Sequence, residues 1–471
     1  MARRITRRQA LAASAATLGY FHLAPAVSAA RVFRANEKLR VAGVGVGGPG
    51  SGDIDQAGSL MEVVALCDVD ADYLGAKAKK WPSAKTFTDY RKLFDDSSLL
   101  KNIDAVTVST PDHNHAVPAV LAMRAGKHVY CQKPLTHDVA EAHLLRAEAK
   151  KNKVCTQMGN QGTAANGLRR AVELIRGGEL GEVAEVHVWT NRPVWPQAPG
   201  LVKRPKETPL PKGLDWDSWL GVAPERAYSG PAEKLRRGPY HDFNWRGFWD
   251  FGTGAIGDMA CHTANMAFMA LNLAHPTKVA GEAGDLNDET CPSWARVRLS
   301  FPARDKMPAA VLHWYEGKQD GKKVLPPDEL VEKATALTKG KLVDSGSIVV
   351  GSKGFAYSPD DYGANVFFST GKKADNGTKP ETFPVNNKND QGQKDEWVEA
   401  IKAGKPELAL SNFDYAGLLT AAFLLGNVAI RTGKPFAFDG EKCTADIKEA
   451  APLIRRTYRK GWDLIGYNAQ G

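Results

Sequence analysis

The chain has 471 residues, of which 43% are hydrophobic and 24% are charged, and its formal net charge is +9. This length and apolar content are sufficient for two domains with hydrophobic cores, and they exclude an intrinsically disordered chain. Four arginines within the first eight residues contribute to the charge, so the rest of the chain carries only +5 and gives no reason to expect a nucleic-acid partner.

Residues 1–30 are predicted to be an export signal of the twin-arginine type. They place Arg7 and Arg8 before an alanine-rich apolar segment that ends in small residues around Ser28 and Ala29. The alternative, a basic arm for nucleic acid, does not explain the apolar segment. We therefore expect an exported, periplasmic protein. No later segment has 18 uncharged apolar residues in a row, so no membrane span is expected in the mature form.

Residues 31–160 are predicted to form a Rossmann-type domain with a doubly wound parallel sheet. From residue 38 onward, short apolar runs such as LRVAGVGV, MEVVALCDVD and IDAVTVST alternate with helix-length segments. This alternation indicates parallel strands with helices on both faces of the sheet. Its first turn, VAGVGVGGPGSG, contains a glycine pattern that is typical of dinucleotide binding.

Two registers of the G-x-G-x-x-G pattern overlap in this turn, and we choose Gly45, Gly47 and Gly50 because this register leaves a fuller strand before the first glycine. These glycines allow a tight turn and a close approach of the backbone to a pyrophosphate. Asp68 ends the next strand, where a carboxylate accepts hydrogen bonds from the adenosine ribose and repels a 2′-phosphate. The pattern therefore favours NAD over NADP, with Asp70 as the alternative acid.

The loop STPDHNHA at residues 109–116 follows the strand IDAVTV and should face the same crevice. Ser109, Pro111 and His115 are its candidate cofactor contacts. His113 and His115 have H-x-H spacing but lack further ligands at metal-binding spacing, so no metal site is predicted. The six cysteines form no C-x-x-C pair, and buried thiols are the default expectation, with pairing left open.

Residues 161–471 are predicted to form a second, α+β domain for substrate binding and oligomerisation. Alternating segments such as EVAEVHVWT and WARVRLSF indicate an open, largely antiparallel sheet. Residues 191–254 interrupt this rhythm and are rich in Pro, Trp, Arg and Gly. This segment is either a surface excursion packed by tryptophans or the wall of a substrate pocket.

The glycine turn, STPDHNHA, the Gln132-Lys133-Pro134 triplet and the stretch GTGAIGDMACHTANMAFMALNL together resemble the glucose–fructose oxidoreductase, inositol dehydrogenase and MocA family. The resemblance implies NAD(P)-dependent oxidation of a CH–OH group in a carbohydrate or polyol. It implies that Lys133 contacts the nicotinamide and the substrate, and that Gln132, where the family usually has glutamate, hydrogen-bonds a ribose hydroxyl.

Asp258 and His262 are the other implied catalytic residues, with His262 accepting the hydroxyl proton and Asp258 positioning the alcohol. Their i, i+4 spacing puts them on one face of a nearly all-apolar helix, where burying an ionisable pair without a purpose is costly. A base with a pKa near 7 suits this proton transfer, and a histidine beside an aspartate is expected to qualify.

The chain also resembles a long, exported subgroup of the family through GNQG at residues 159–162 and through NWRGFWDFGTG. Polar groups beside aromatic rings suit sugar hydroxyls and sugar C–H faces. The substrate-binding candidates are therefore Gln161, Tyr240, Asn244, Trp245 and Arg246.

Export carries an implication for the cofactor, because a periplasmic enzyme has no assured pool of free NAD. We therefore expect tightly bound NAD and a redox cycle that closes within the site. One alternative function is a redox-neutral glycosidase. Such an enzyme oxidises one carbon of a glycoside, eliminates the aglycone, adds water and then reduces the oxidised carbon again. A second is a dinucleotide-binding protein without catalysis. By analogy with similar open-sheet proteins, a homodimer or homotetramer is expected.

Overall fold

The computed structural model describes residues 38–231 and 238–470. The predicted export signal therefore lies outside the described residues. Within them, the chain first forms six strands: β1 (Arg40–Val44), β2 (Glu62–Cys67), β3 (Lys85–Phe87), β4 (Ala105–Val108), β5 (His128–Cys131) and β6 (Thr156–Met158). The helices between them are α1 (Gly48–Leu60), α2 (Ala71–Lys80), α3 (Tyr90–Asp95), α4 (Ser97–Leu100), α5 (Ala116–Arg124) and α6 (Val139–Asn152).

The six strands form a parallel sheet in the order β3-β2-β1-β4-β5-β6. All four residues of β4 are buried, as are Val41 to Val44 of β1, because helices cover both faces of the sheet. The strand order reverses between β1 and β4, and this reversal opens a crevice at the carboxyl ends of the two strands, where ligands bind in such folds. The predicted doubly wound sheet is confirmed.

Eleven further strands form the second sheet: β7 (Val183–Trp189), β8 (Lys278–Gly284), β9 (Trp294–Phe301), β10 (Ala310–Gln319), β11 (Lys322–Lys323), β12 (Gly346–Gly351), β13 (Gly354–Ser358), β14 (Asn365–Phe368), β15 (Lys373–Asp375), β16 (Phe436–Asp439) and β17 (Thr444–Ala445). Their order is β15-β14-β13-β12-β7-β10-β9-β8-β16-β17, with β11 paired to β10. Among the described strands of this second sheet, only β7 and β10 pair in parallel, so the largely antiparallel sheet is also confirmed.

The remaining helices are α7 (Asn166–Arg176), α8 (Trp216–Leu220), α9 (Gly254–Thr263), α10 (Asn265–Ala270), α11 (Asp328–Thr338), α12 (Asn389–Ala403), α13 (Phe413–Thr432) and α14 (Ala451–Ile454). α13 packs between α6, which follows β5 of the first sheet, and β8 of the second sheet. α12 contacts α1. The chain after residue 389 therefore returns to the part of the protein that contains the parallel sheet. α11 covers part of the outer face of the large sheet, where its Ala334 packs with Trp189 and Tyr357.

Within the part of the chain that the structure describes, α13 is long and apolar enough to cross a bilayer. Of its most apolar window, 78% is buried inside the protein. Its apolar surface is thus accounted for by packing between the two sheets, as in the core helix of a globular fold. The six cysteines are free thiols, and all except Cys443 are buried.

Candidate active site

A cavity of about 410 Å³ lies along the carboxyl edge of the parallel sheet, beneath residues 191–254. Most of the residues that the sequence nominated line it: Gly45, Gly47, Asp68, Ser109, Pro111, Gln132, Lys133, Gln161, Trp245, Arg246 and Asp258. Five nominated residues do not line the cavity: Gly50, His115, Tyr240, Asn244 and His262. The cavity is of the size that proteins use for small ligands and cofactors.

Three glycines shape the phosphate end of the cavity. Gly45 has a φ of +75°, and a Cβ there would lie 2.7 Å from the carbonyl oxygen of Ser109. A Cβ at Gly47 would lie 2.2 Å from the ring of Tyr73, and one at Gly50 would lie 2.0 Å from the carbonyl oxygen of Gly45. α1 begins directly after Gly47, so its free N–H groups face the space that these glycines leave open. This cradle fits a pyrophosphate.

Asp68 is the acid that lines the cavity, and Asp70 is not. One carboxylate oxygen of Asp68 accepts the backbone N–H groups of Val46 and Gly47 at 2.8 and 2.9 Å, and the other accepts the N–H of Asp70 at 3.0 Å. Burial raises the pKa of Asp68, although these three N–H groups act to lower it. Asp70 instead caps α2 and contacts His241 at 2.9 Å. The preference for Asp68 is therefore consistent with the geometry.

The two loop histidines brace the backbone and do not face the cofactor space. His115 places Nδ1 2.8 Å from the carbonyl oxygen of Pro134 and Nε2 2.7 Å from that of Thr110. His113 places Nε2 2.9 Å from the carbonyl oxygen of Trp219. Burial lowers the pKa of both rings. This placement differs from the predicted cofactor contact of His115, because both of its ring nitrogens are engaged by carbonyl oxygens.

Lys133 and Asp258 meet at the far end of the cavity. β5 carries Lys133 to the edge of the sheet, and its Nζ donates to Oδ1 of Asp258 at 2.7 Å and to the Asp258 carbonyl at 3.0 Å. Two guanidinium groups also approach this carboxylate: Nε of Arg246 at 3.4 Å and Nε of Arg192 at 3.7 Å. Burial acts to raise the pKa of Asp258, but the Lys133 ammonium and the Arg246 guanidinium hold it at about 2.

His262 lies one turn after Asp258 on α9, a helix in which every residue is buried. Its ring packs edge-on to Tyr362 at 5.3 Å, and its buried Nδ1 has no hydrogen-bond partner. Burial and the nearby Lys133 ammonium lower its pKa to about 3, although Asp258 acts to raise it. The expectation of a base with a pKa near 7 is therefore wrong, because burial outweighs the aspartate. The imidazole is neutral at neutral pH.

A buried ion pair that the sequence did not reveal holds Gln132 in place. Asp53 of α1 accepts Nζ of Lys394 at 2.6 Å on one oxygen, while its other oxygen accepts Oγ of Ser109 at 2.7 Å and Nε2 of Gln132 at 2.8 Å. Lys394 also donates to Oη of Tyr130 at 2.8 Å. A glutamate at position 132 would set its carboxylate against that of Asp53, so the amide is the side chain that fits here.

Asp112 is a second ionisable group that sequence reasoning did not select, although it stands within STPDHNHA. It is buried at the cavity wall, where its Oδ2 accepts a hydrogen bond from Oγ1 of Thr253 at 2.8 Å. Burial raises the pKa of Asp112 to about 7, although the Arg246 guanidinium acts to lower it. This carboxyl therefore holds its proton to a higher pH than an ordinary aspartate.

The raised pKa of Asp112 predicts a pH-dependent free energy of unfolding. Between about pH 4 and pH 7 the folded protein holds a proton that the unfolded chain has lost, so this group's contribution falls as pH rises, by about 4 kcal/mol in all. Asp112→Asn should remove this slope, and the variant should gain stability over the wild type toward pH 8. Urea unfolding of both proteins between pH 4 and pH 8 measures the free energy of unfolding at each pH. An equal dependence on pH in the two proteins would contradict a raised pKa for Asp112.

The segment 191–254 contributes both a cavity wall and a packed core. Trp195, Trp219 and Trp245 line the cavity. Tyr240 is fully buried instead, with its ring 4.9 Å from that of Phe248. The described residues of this segment therefore form a wall of the cavity and also a packed aromatic cluster, so both interpretations from the sequence apply.

Two of the five predicted substrate contacts therefore lie elsewhere. Tyr240 belongs to the aromatic core, and Arg226 donates to its hydroxyl group at 3.3 Å. Asn244 turns its amide to the carbonyl oxygen of Gly238 at 3.0 Å. Because residues 244–247 form a single 3-10 turn, Trp245 and Arg246 point into the cavity while Asn244 points away from it.

Comparison with known proteins gives two family matches. The GFO_IDH_MocA model, described as an oxidoreductase family with an NAD-binding Rossmann fold, matches residues 39–160. The GFO_IDH_MocA_C2 model, described as the C-terminal alpha/beta domain of an oxidoreductase family, matches residues 183–311. The two matches together span about half of the chain.

Curated relatives include the inositol 2-dehydrogenase of Salmonella typhimurium (strain LT2), which is 32% identical over 154 residues, 32% of this chain and 45% of that protein. The inositol 2-dehydrogenase of Corynebacterium glutamicum (strain R) is 32% identical over 152 residues, 31% of this chain and 44% of the relative. The chain thus matches about half the length of these relatives.

Solved structures show the same fold at lower identity. The aldose-aldose oxidoreductase of Caulobacter crescentus, complexed with glycerol, is 17% identical, with a TM-score of 0.57 over 85% of this chain and 100% of that one. The WlbA dehydrogenase of Bordetella pertussis, in complex with NADH and UDP-GlcNAcA, is 16% identical, with a TM-score of 0.57 over 86% and 98%. From its two family matches, the chain belongs to the GFO_IDH_MocA oxidoreductase family.

Proposed function

We propose that this protein is an NAD-dependent oxidoreductase that oxidises a CH–OH group of a carbohydrate or polyol. One observation carries the proposal: the contact between Lys133 and Asp258 lies in the same cavity as the glycine cradle. A dinucleotide held by its pyrophosphate at the cradle would extend along this cavity toward Lys133. The reacting end of the cofactor and a charged pair would then share one enclosed space.

The residues at this end divide the chemistry between them. NAD, when bound, supplies a nicotinamide ring that accepts a hydride from the carbinol carbon. Lys133 is placed to donate to the alcohol oxygen and to stabilise the negative charge that develops there. Asp258 fixes the direction of the Lys133 ammonium. Loss of a hydride and of the hydroxyl proton converts the alcohol to a carbonyl. We propose His262 as the acceptor of that proton, a role that requires its neutral ring to turn toward the cavity, which it does not line here.

The cavity wall supports a carbohydrate or polyol as substrate. Trp195 and Trp245 present apolar rings, and Gln161 and Arg246 present hydrogen-bonding groups in the same cavity. The Arg246 guanidinium lies 4.3 Å from the ring centroid of Trp245, which limits its freedom. Flat apolar rings beside fixed polar groups match the C–H faces and hydroxyl groups of sugars.

We further propose that NAD is tightly held, because the segment 191–254 is fastened to the nucleotide-binding half. The Tyr73 hydroxyl donates to Oδ2 of Asp242 at 2.6 Å, and Asp70 contacts His241. The backbone adds two bonds, from Ala71 N–H to the Gly213 carbonyl and from Asp215 N–H to the Val69 carbonyl. The predicted export signal, which stays a prediction, would make such retention necessary.

Retention can be tested on the purified protein. Denaturation should release NAD in about one equivalent per chain, identified by mass, and Tyr73→Phe should release the nucleotide from the native protein about tenfold faster, because it removes one hydrogen bond to an ionised group. Tyr415→Phe is a matched control, because the Tyr415 hydroxyl donates to Oδ1 of Asn265 and neither residue lines the cavity. Absence of any dinucleotide in the wild type would overturn tight binding.

A further inference from the structure

A second cluster of ligand-type side chains lies on the outer face of the large sheet, away from the cavity. Glu185 and His187 belong to β7, and His313 belongs to β10. His187 and His313 are register partners in the parallel pair β7·β10, and Glu185 precedes His187 by two residues. Because side chains alternate between the faces of a strand, all three share one face. None of them lines the cavity.

The side-chain atoms of this cluster converge. Oε1 of Glu185 lies 3.3 Å from Nε2 of His187 and 3.2 Å from Nε2 of His313, and the three atoms lie within 4.8 Å of one another. The two imidazole rings stack at 4.9 Å, tilted by only 8°. Among the described residues, this is the one group of three or more such side chains placed to hold a metal ion.

His187 supplies the observation that points to a ligand. Its side chain is buried, and Oε1 of Glu185 approaches its Nε2 at 3.3 Å outside hydrogen-bond geometry, which leaves a polar nitrogen without a hydrogen bond inside the protein. Its other ring nitrogen, Nδ1, lies 2.9 Å from the hydroxyl group of Tyr315. A histidine that ligates a metal is usually held in this way, by a hydrogen bond at its second nitrogen.

We propose that Glu185, His187 and His313 form a binding site for a divalent transition-metal ion, with Zn²⁺ as the best match. Tetrahedral bonds of about 2.0–2.1 Å to nitrogen and oxygen separate two ligand atoms by about 3.3 Å, which is the spacing between Oε1 and each Nε2. The lone pairs of two stacked imidazoles lie in parallel ring planes and do not converge, so the partly exposed His313 ring must turn out of the stack to bring its Nε2 to a shared ion. Two imidazoles and one carboxylate disfavour Mg²⁺ and Ca²⁺, which prefer oxygen ligands.

The exposure of the cluster suits this role. The Glu185 side chain is 46% exposed and that of His313 is 26% exposed, so solvent reaches the fourth coordination position. A bound ion would join the two strands of the sheet's parallel pair.

The test uses the full chain and Zn²⁺ as the probe. The protein is stripped with a chelator, incubated with Zn²⁺ and desalted, and its metal content and its melting temperature with and without Zn²⁺ are measured. We expect about one ion per chain and a rise of a few degrees in the melting temperature. Glu185→Gln and His313→Ala should each lower the affinity for Zn²⁺ by at least about tenfold.

His275→Ala is the matched control, because His275 stacks on His143 at 4.8 Å in a pair that belongs to no such group of three among the described residues. It should leave the Zn²⁺ content unchanged. Two outcomes would overturn the proposal: no retained Zn²⁺ and no change in melting temperature in the wild type, or the same Zn²⁺ affinity in the wild type, Glu185→Gln and His313→Ala. Neither readout depends on the proposed oxidoreductase activity.

Discussion

Replacing Lys133 with methionine is expected to lower kcat for the oxidation of the alcohol by about 10²–10³-fold. The reason is its position: Lys133 is the one lysine among the described residues that line the cavity, and its Nζ lies 2.7 Å from Oδ1 of Asp258. Methionine keeps most of the side-chain volume but removes the donor and the charge. Kinetic measurement with a saturating carbohydrate substrate gives the change in kcat.

Two controls separate a chemical role for Lys133 from a structural one. Released nucleotide is measured in parallel, and a content equal to that of the wild type assigns the loss of activity to the chemical step and not to loss of NAD. Lys133→Arg keeps the positive charge but not the compact ammonium geometry, so it should recover only part of the activity. A kcat for Lys133→Met within about twofold of the wild-type value would remove Lys133 from the mechanism and favour a dinucleotide-binding protein without catalysis.

Replacing Lys394 with methionine is expected to lower the free energy of unfolding by about 3–5 kcal/mol. The side chains of Lys394 and Asp53 are 0% and 4% exposed and meet at 2.6 Å. Loss of the lysine leaves a buried carboxylate without its counter-ion. Because that carboxylate also fixes Gln132 and Ser109 at the cavity, the variant should bind NAD more weakly as well. Denaturant unfolding and nucleotide titration measure the two effects.

The double variant Asp53→Asn/Lys394→Met tests the cause of this loss. It removes both charges, so it should recover part of the stability that Lys394→Met loses, as expected for coupled partners. Lys333→Met is a control on an exposed pair, where Lys333 meets Glu329 at 2.6 Å in solvent, and it should change stability by less than about 0.5 kcal/mol. If Lys394→Met lowered the free energy of unfolding no more than Lys333→Met does, the stabilising role of the Asp53–Lys394 ion pair would be contradicted.

The sequence predicted features whose chemistry is local in the chain. The three glycines of the turn are needed because a Cβ at any of them would collide with a neighbour. Asp68 follows the next strand at the spacing of a ribose-binding acid, and it lines the cavity. The alternation of short apolar runs with helix-length segments likewise predicted the parallel sheet, and alternating apolar and polar residues predicted the antiparallel one. In each case the physical cause lies within a short stretch of sequence.

The features that were missed depend on contacts between distant parts of the chain. Lys394 stands in the charged segment QKDEW, which is typical of a solvated helix face, yet it is buried against α1. The pKa of His262 was expected near 7 from its neighbour Asp258, but burial of the whole helix α9 decides it. Tyr240 was expected at the substrate because it is aromatic, and it packs in the core for the same reason.

We propose that NAD bound in this cavity oxidises a carbohydrate or polyol hydroxyl group at Lys133. The most direct measurement adds a panel of sugars, polyols and aryl glycosides to the purified holoprotein and follows the absorbance of reduced nicotinamide together with aglycone release. We expect persistent reduction of the nicotinamide with at least one sugar or polyol, and loss of this reduction in Lys133→Met. Release of aglycone without persistent reduction would contradict it in favour of a redox-neutral glycosidase.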